Sequence, residues 1–207
     1  MTALARLAPA ASLKRAAIAV LAALSLASCG LNSVPTAEEQ VNAKWGNLQA
    51  DYQRRADLIP NVVRTAEQTA KVEKGILVGV TEARSRATQV TLNAGDLDDP
   101  QKVAAFQAAQ SQLNTSLGRL IATVEAYPQP KSPEAFRDLI VELEGTENRI
   151  NFSRRDYNEA VRQYNTLIRT FPSAIGAKVF YGAKPKVPFE GSAEAQIAPK
   201  VDFGNDT

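Results

Sequence analysis

Apolar residues recur at alternating steps of three and four, or multiples of them, through residues 36 to 92: Val41, Trp45, Leu48, Tyr52, Ile59, Val62, Ala66, Ile76, Val80, Ala83, Ala87 and Val90. That spacing puts them on one face of an amphipathic helix, and sustained this long it describes a coiled-coil-like seam. Thr36 followed by Glu39 has capping-box spacing and predicts the helix start. Pro60 interrupts the hydrogen bonding but not the phase: it has no amide for the Ala56 carbonyl, and it turns Ile59 away from helical dihedrals. A kink in one helix and a break between two both fit. An unbroken helix over the whole stretch would reach roughly 85 Å, much longer than the helices predicted after it.

Asn93 to Asp99 is a connector rich in turn formers, and Asp99-Pro100 supplies an N-cap and a first-turn proline. The next apolar face reads Val103, Phe106, Leu113, Leu117, Leu120, Val124 and Tyr127, ended by Pro128 and Pro130. Ser132-Pro133-Glu134 repeats the start signal, with the acid at the positive helix terminus. The last seam is Phe136, Leu139, Leu143, Ile150, Tyr157, Val161, Tyr164, Ile168 and Phe171, closed by Pro172. Residues 174 to 181 are apolar enough to dock as a short segment, whereas 182 to 207 lack an amphipathic period and predict a mobile tail. With no strand pattern of useful length, the fold class is all-α: an elongated antiparallel four-helix bundle over residues 36 to 181.

The first 28 residues are a different kind of sequence. A basic region ends at Lys14-Arg15, residues 16 to 27 are rich in alanine and leucine, and Leu26-Ala27-Ser28-Cys29 looks like a lipobox. Cys29 is then the lipid attachment site and first residue of the mature chain, with residues 29 to 35 a tether to the bundle. An uncleaved membrane helix needs about 20 consecutive apolar residues, and this run is shorter. Gly30, rather than Asp, follows Cys29, which in a Gram-negative cell resembles outer-membrane-directed lipoproteins. Removing residues 1 to 28 takes away three of the 24 basic residues and no acid, leaving 21 against 22. A nearly neutral chain with interspersed charges has no electrostatic footprint for nucleic acid. One cysteine allows no intramolecular disulfide, so the core alone must hold the fold.

Histidine is absent, which excludes Ser-His and Cys-His nucleophile pairs, the usual His/Cys zinc sites and Glu-x-x-His di-iron bundles. No metal or cofactor is expected. Charged residues do fall on the seams: Arg55, Glu73, Glu147 and Arg154. The structural reading makes Arg55, Glu147 and Arg154 buried or half-buried ion pairs that fix helix register; the functional reading makes them a polar ligand pocket. Glu144 and Glu147, one turn apart, are a weak basis for carboxylate catalysis. Tyr157-Asn158 and Tyr164-Asn165 echo at seven residues, with Phe171-Pro172 at the next step. This spacing predicts one row of aromatic rings in the core with the asparagines at its boundary.

Gln53-Arg-Arg-Ala-Asp-Leu-Ile-Pro-Asn61, Thr81-Glu-Ala-Arg84, Glu142-Leu-Glu-Gly-Thr-Glu-Asn-Arg-Ile150 and Arg154-Arg-Asp-Tyr-Asn158 with Tyr164-Asn165 and Phe171-Pro172 resemble the LemA family of bacterial envelope proteins, over roughly residues 38 to 190. The resemblance implies four helices, a break at Ile-Pro-Asn between the first two, and an N-terminal membrane anchor, here in lipoprotein form. It implies no catalytic residues. The expected function is a lipid-anchored scaffold or adaptor, not an enzyme, that meets other envelope proteins on the periplasmic or extracellular side of a membrane. Its candidate partner-facing residues are Arg54, Asp57, Arg155 and Asn158. The alternative is an enzyme or small-molecule binder using Arg55, Glu147 and Arg154.

Overall fold

A computed structural model describes residues 32–69, 72–126 and 134–189. The signal segment with Cys29, the cap at Ser132-Pro133, Tyr127 and residues 190 to 207 lie outside these limits. The described chain is helical without strands: α1 Ser33–Thr69, α2 Lys74–Gln89, a 3-10 turn Ala94–Asp96, α3 Pro100–Ala126, α4 Glu134–Leu167 and the short α5 Ser173–Val179. Four long helices form the bundle. Partners across α1 and α4 run in opposite order, Lys44 with Asp156, Asp51 with Ser153 and Arg55 with Glu147, so the two helices are antiparallel. α2 returns along α1, joined by Arg84 to the Ala56 carbonyl, and α3 packs against α2.

α1 runs unbroken through Pro60 to Thr69, and α2 begins at Lys74. The break implied at Ile-Pro-Asn is therefore displaced by ten residues. Its physical basis is visible at Ala56, whose carbonyl loses a helical donor to Pro60. Arg84 Nε donates to that carbonyl at 2.6 Å. A side chain from the neighbouring helix thus replaces the missing amide, and the apolar phase of Ile59, Val62 and Ala66 carries on into the core.

Other boundaries also shift. Thr36 lies inside α1, where its hydroxyl donates back to the Asn32 carbonyl at 2.8 Å, so it is not the expected cap. Asp99 does cap α3, accepting from the amides of Gln101 and Lys102 at 2.9 and 3.3 Å. Asn93 and Asp96 close a reciprocal capping box around the 3-10 turn. α4 stops at Leu167, and Phe171 leaves the aromatic row for solvent.

Two apolar clusters make up the core. One joins Val41, Trp45 and Leu48 of α1 to Val103 and Phe106 of α3 and Tyr157, Val161 and Tyr164 of α4; the other joins Ile59, Val62 and Ala66 to Val80, Ala83, Leu113, Leu117, Leu120 and Leu143. Between them, at the level of Arg55 and Glu147, lies a polar layer.

Candidate functional site

The polar layer is built on Arg55, only 2% exposed although its seam neighbours are apolar. Its Nη1 donates to Glu147 Oε2 at 2.8 Å and to Asn114 Oδ1, and its Nη2 to Gln110 Oε1 at 2.6 Å. The guanidinium also lies over the Tyr52 ring, 5.3 Å from its centre, a favourable cation–π placement. Gln110 donates onward to the Ala87 carbonyl at 3.2 Å. One charge thereby ties α1, α2, α3 and α4 at a single level, and a buried cation survives there because acceptors replace its water. Of the guanidinium nitrogens, Nε is the one left buried without a partner among the described residues.

Arg55 and Glu147 meet, but Arg154 does not join them: it donates to Asn151 at 2.9 Å on its own helix. Glu73 stays exposed before α2. Gln110 and Asn114 complete the layer without having been singled out from the sequence. A signal for Gln110 was present, because it occupies the seam step between Phe106 and Leu113. A nearby cavity of about 80 Å³ is lined by Tyr52, Gln110 and Phe106, with none of Arg55, Glu147 or Arg154 on its wall.

The second constellation lies on α4. Residues 182 to 189, expected to be part of a mobile tail, pack as an extended segment against that helix. Asn158 brackets Phe189, accepting from its amide and donating to its carbonyl, both at 2.8 Å. Seven residues on, Asn165 brackets Lys186 in the same way at the same distances. Tyr157 donates to the Val187 carbonyl at 3.0 Å. Two helical turns match the spacing of bonding groups along the extended backbone, which has no sheet neighbour to satisfy it. Phe189 then enters the core, stacked 5.7 Å from Trp45 and edge-on to Tyr157 and Phe106. Burial raises the Tyr157 hydroxyl pKa well above its ordinary value of 10, and raises Tyr164 to about 12, with smaller contributions from Glu38 and Asp98. Of the candidate partner-facing residues, Arg54, Asp57 and Arg155 are exposed, but Asn158 is occupied by its own chain.

A model described as the LemA family matches residues 44–203. The chain belongs to the LemA family. Among curated relatives, this LemA chain is similar to magnetosome proteins MamQ 1 and MamQ 2 of Paramagnetospirillum magneticum. Each is 28% identical, with 75% of this chain and 63% of the relative covered. It is also similar to magnetosome protein MamQ of Magnetospirillum gryphiswaldense, 26% identical over 68% of this chain and 58% of the relative. The chain thus spans about three fifths of the length of these relatives. Three of its LemA-like motif segments meet around one level of the bundle, with Arg55 from the first, Arg84 from the second and Glu147 from the third. The fourth supplies Tyr157, Asn158 and Asn165 to hold the C-terminal segment. Among the described residues no helix is long and apolar enough to cross a membrane, and no cluster of His, Cys, Asp or Glu is placed to bind a metal.

Proposed function

We propose that this LemA chain is a scaffold or adaptor in the bacterial envelope, tethered through lipid on Cys29 and presenting its helical faces to other membrane or periplasmic proteins. Family membership and the MamQ relatives support the coarser reading of a membrane-associated envelope protein. The observation that carries the scaffold reading is the consumption of Arg55 by Glu147, Asn114 and Gln110. The cation suited to holding a ligand instead holds four helices in register. The binder reading finds less support, since Arg154 bonds Asn151 on its own helix and the adjacent cavity is walled by neither member of the ion pair.

Site-specific photo-crosslinking in intact membranes tests the proposal, with reactive residues placed at Arg54, Asp57 and Arg155 in turn. One recurrent envelope-protein adduct is expected from this face, absent in a Cys29→Ser chain that has lost its tether. Adducts unaffected by position and by Cys29→Ser would argue against a tethered adaptor.

A further inference from the structure

Five of the eight large apolar residues exposed among the described residues fall in one short stretch: Phe171, Ile175, Val179, Phe180 and Tyr181. The other three, Val78, Val141 and Phe152, are scattered. The stretch is a folded element: Ser173, Gly176 and Ala177 turn inward, and Ala177 shares a core cluster with Val34 at the start of α1. Its opposite side therefore presents Ile175 and Val179 outward beside Phe171, Phe180 and Tyr181. Exposed large apolar residues concentrated in one short element mark an interaction site.

Charge identifies its partner. From Ala160 to Phe189 the chain has no Asp or Glu but five bases: Arg162, Arg169, Lys178, Lys184 and Lys186. Arg162 pairs with Glu159, Lys184 with Asp98 and Lys186 with Glu38. Arg169 and Lys178 flank the apolar residues and pair with no carboxylate among the described residues. An apolar face with aromatic residues and unpaired bases at its edge is complementary to a bilayer interface carrying anionic headgroups.

Covalent reach supplies the second argument. Cys29 lies four positions before Ser33, at most about 14 Å of chain. α5 packs on α1 near that start. A lipid on Cys29 therefore holds this end of the bundle within reach of the headgroups. We infer that Phe171, Ile175, Val179, Phe180 and Tyr181 insert into the membrane interface as a second anchor, with Arg169 and Lys178 on anionic lipid headgroups. The inference rests on the proposed tether. It fixes how the bundle stands: the α1 start and α5 face the membrane, and the α1–α2 turn points away.

The full chain, isolated with its lipid, is reconstituted into vesicles of phosphatidylethanolamine and phosphatidylglycerol containing a nitroxide-labelled lipid. Phe180→Trp and, near the far turn, Val78→Trp each add one indole to the buried Trp45. The added emission of Phe180→Trp should be blue-shifted and at least twofold more quenched than that of Val78→Trp. Its quenching should fall when Arg169→Gln and Lys178→Gln are combined with it, or when phosphatidylglycerol is omitted. Vesicle-bound protein in which both indoles are quenched equally overturns the second anchor and leaves the tether standing, with the apolar face assigned to a protein. Protein that does not float with vesicles at all overturns both. Quenching that survives loss of the bases and the anionic lipid overturns the headgroup assignment.

Discussion

Arg55 shows how context sets the worth of a charge. Breaking a fully buried ion pair costs about 3–5 kcal/mol, but Glu147 is 40% exposed and Arg55 keeps Asn114 and Gln110. Glu147→Ala should therefore lower stability by about 1–3 kcal/mol in urea denaturation. Arg55→Met combined with Gln110→Leu should recover much of the layer's stability, because both desolvated partners leave together. A Glu147→Ala chain melting at or above the parent temperature would overturn the register role. The buried tyrosines give a pH signature. Folded Tyr164 holds its proton to about pH 12, above the ordinary value of 10. Its contribution is complete below pH 10 and is lost as pH rises toward 12, where the unfolded chain releases a proton that the folded chain keeps. Stability should be flat up to about pH 9 and fall above about pH 10. Tyr164→Phe should reduce that fall, as measured by urea denaturation on both sides of the window.

At the scale of elements, Pro60 and Arg84 form one unit though they lie on different helices. Arg84→Met leaves the Ala56 carbonyl without its donor and should cost about 1–3 kcal/mol. In a Pro60→Ala background the restored amide can take that carbonyl, so the same substitution should cost less than about 0.5 kcal/mol. Equal costs in both backgrounds would separate Arg84 from the proline. The helix itself was readable from sequence because the apolar phase passes through residue 60. The continuity of its backbone was not, because it depends on a donor 28 residues from the carbonyl it serves.

For the whole molecule, the docked segment decides where the folded unit ends. Residues 36 to 171 contain every helical seam and on that ground alone would suffice, yet Phe189 sits in the middle of the Trp45, Phe106 and Tyr157 cluster. Truncation after Tyr181 should destabilise the chain by at least the roughly 3–5 kcal/mol expected of Phe→Ala in a core, and Phe189→Ala should reproduce most of the loss in a thermal melt. Asn158→Ala and Asn165→Ala should each take a smaller share, about 1–3 kcal/mol, from bracketing bonds on the segment. A truncated chain as stable as the parent would show that the segment rests on the bundle without supporting it.

The all-α class, the apolar seams, the Asp99 cap and the charged seam positions were set by sequence alone, since helical period and capping are local properties written every three or four residues. Most predicted seam residues that the structure describes are buried, Tyr52, Ile76, Val90, Leu139 and Ile168 are half-buried, and Phe171 is exposed because α4 ends before reaching it. Tertiary structure decided the rest. It chose Arg55 rather than Arg154 as the partner of Glu147, supplied Arg84 to the carbonyl that the proline leaves without its helical donor, and turned the Tyr-Asn echo into a clamp. The physical reason is common to all three: a polar group's partner is selected by proximity across helices, and the period of one helix carries no record of what the next will place beside it. Residues 182 to 189 are the extreme case, with no period of their own and a conformation held by asparagines on another element.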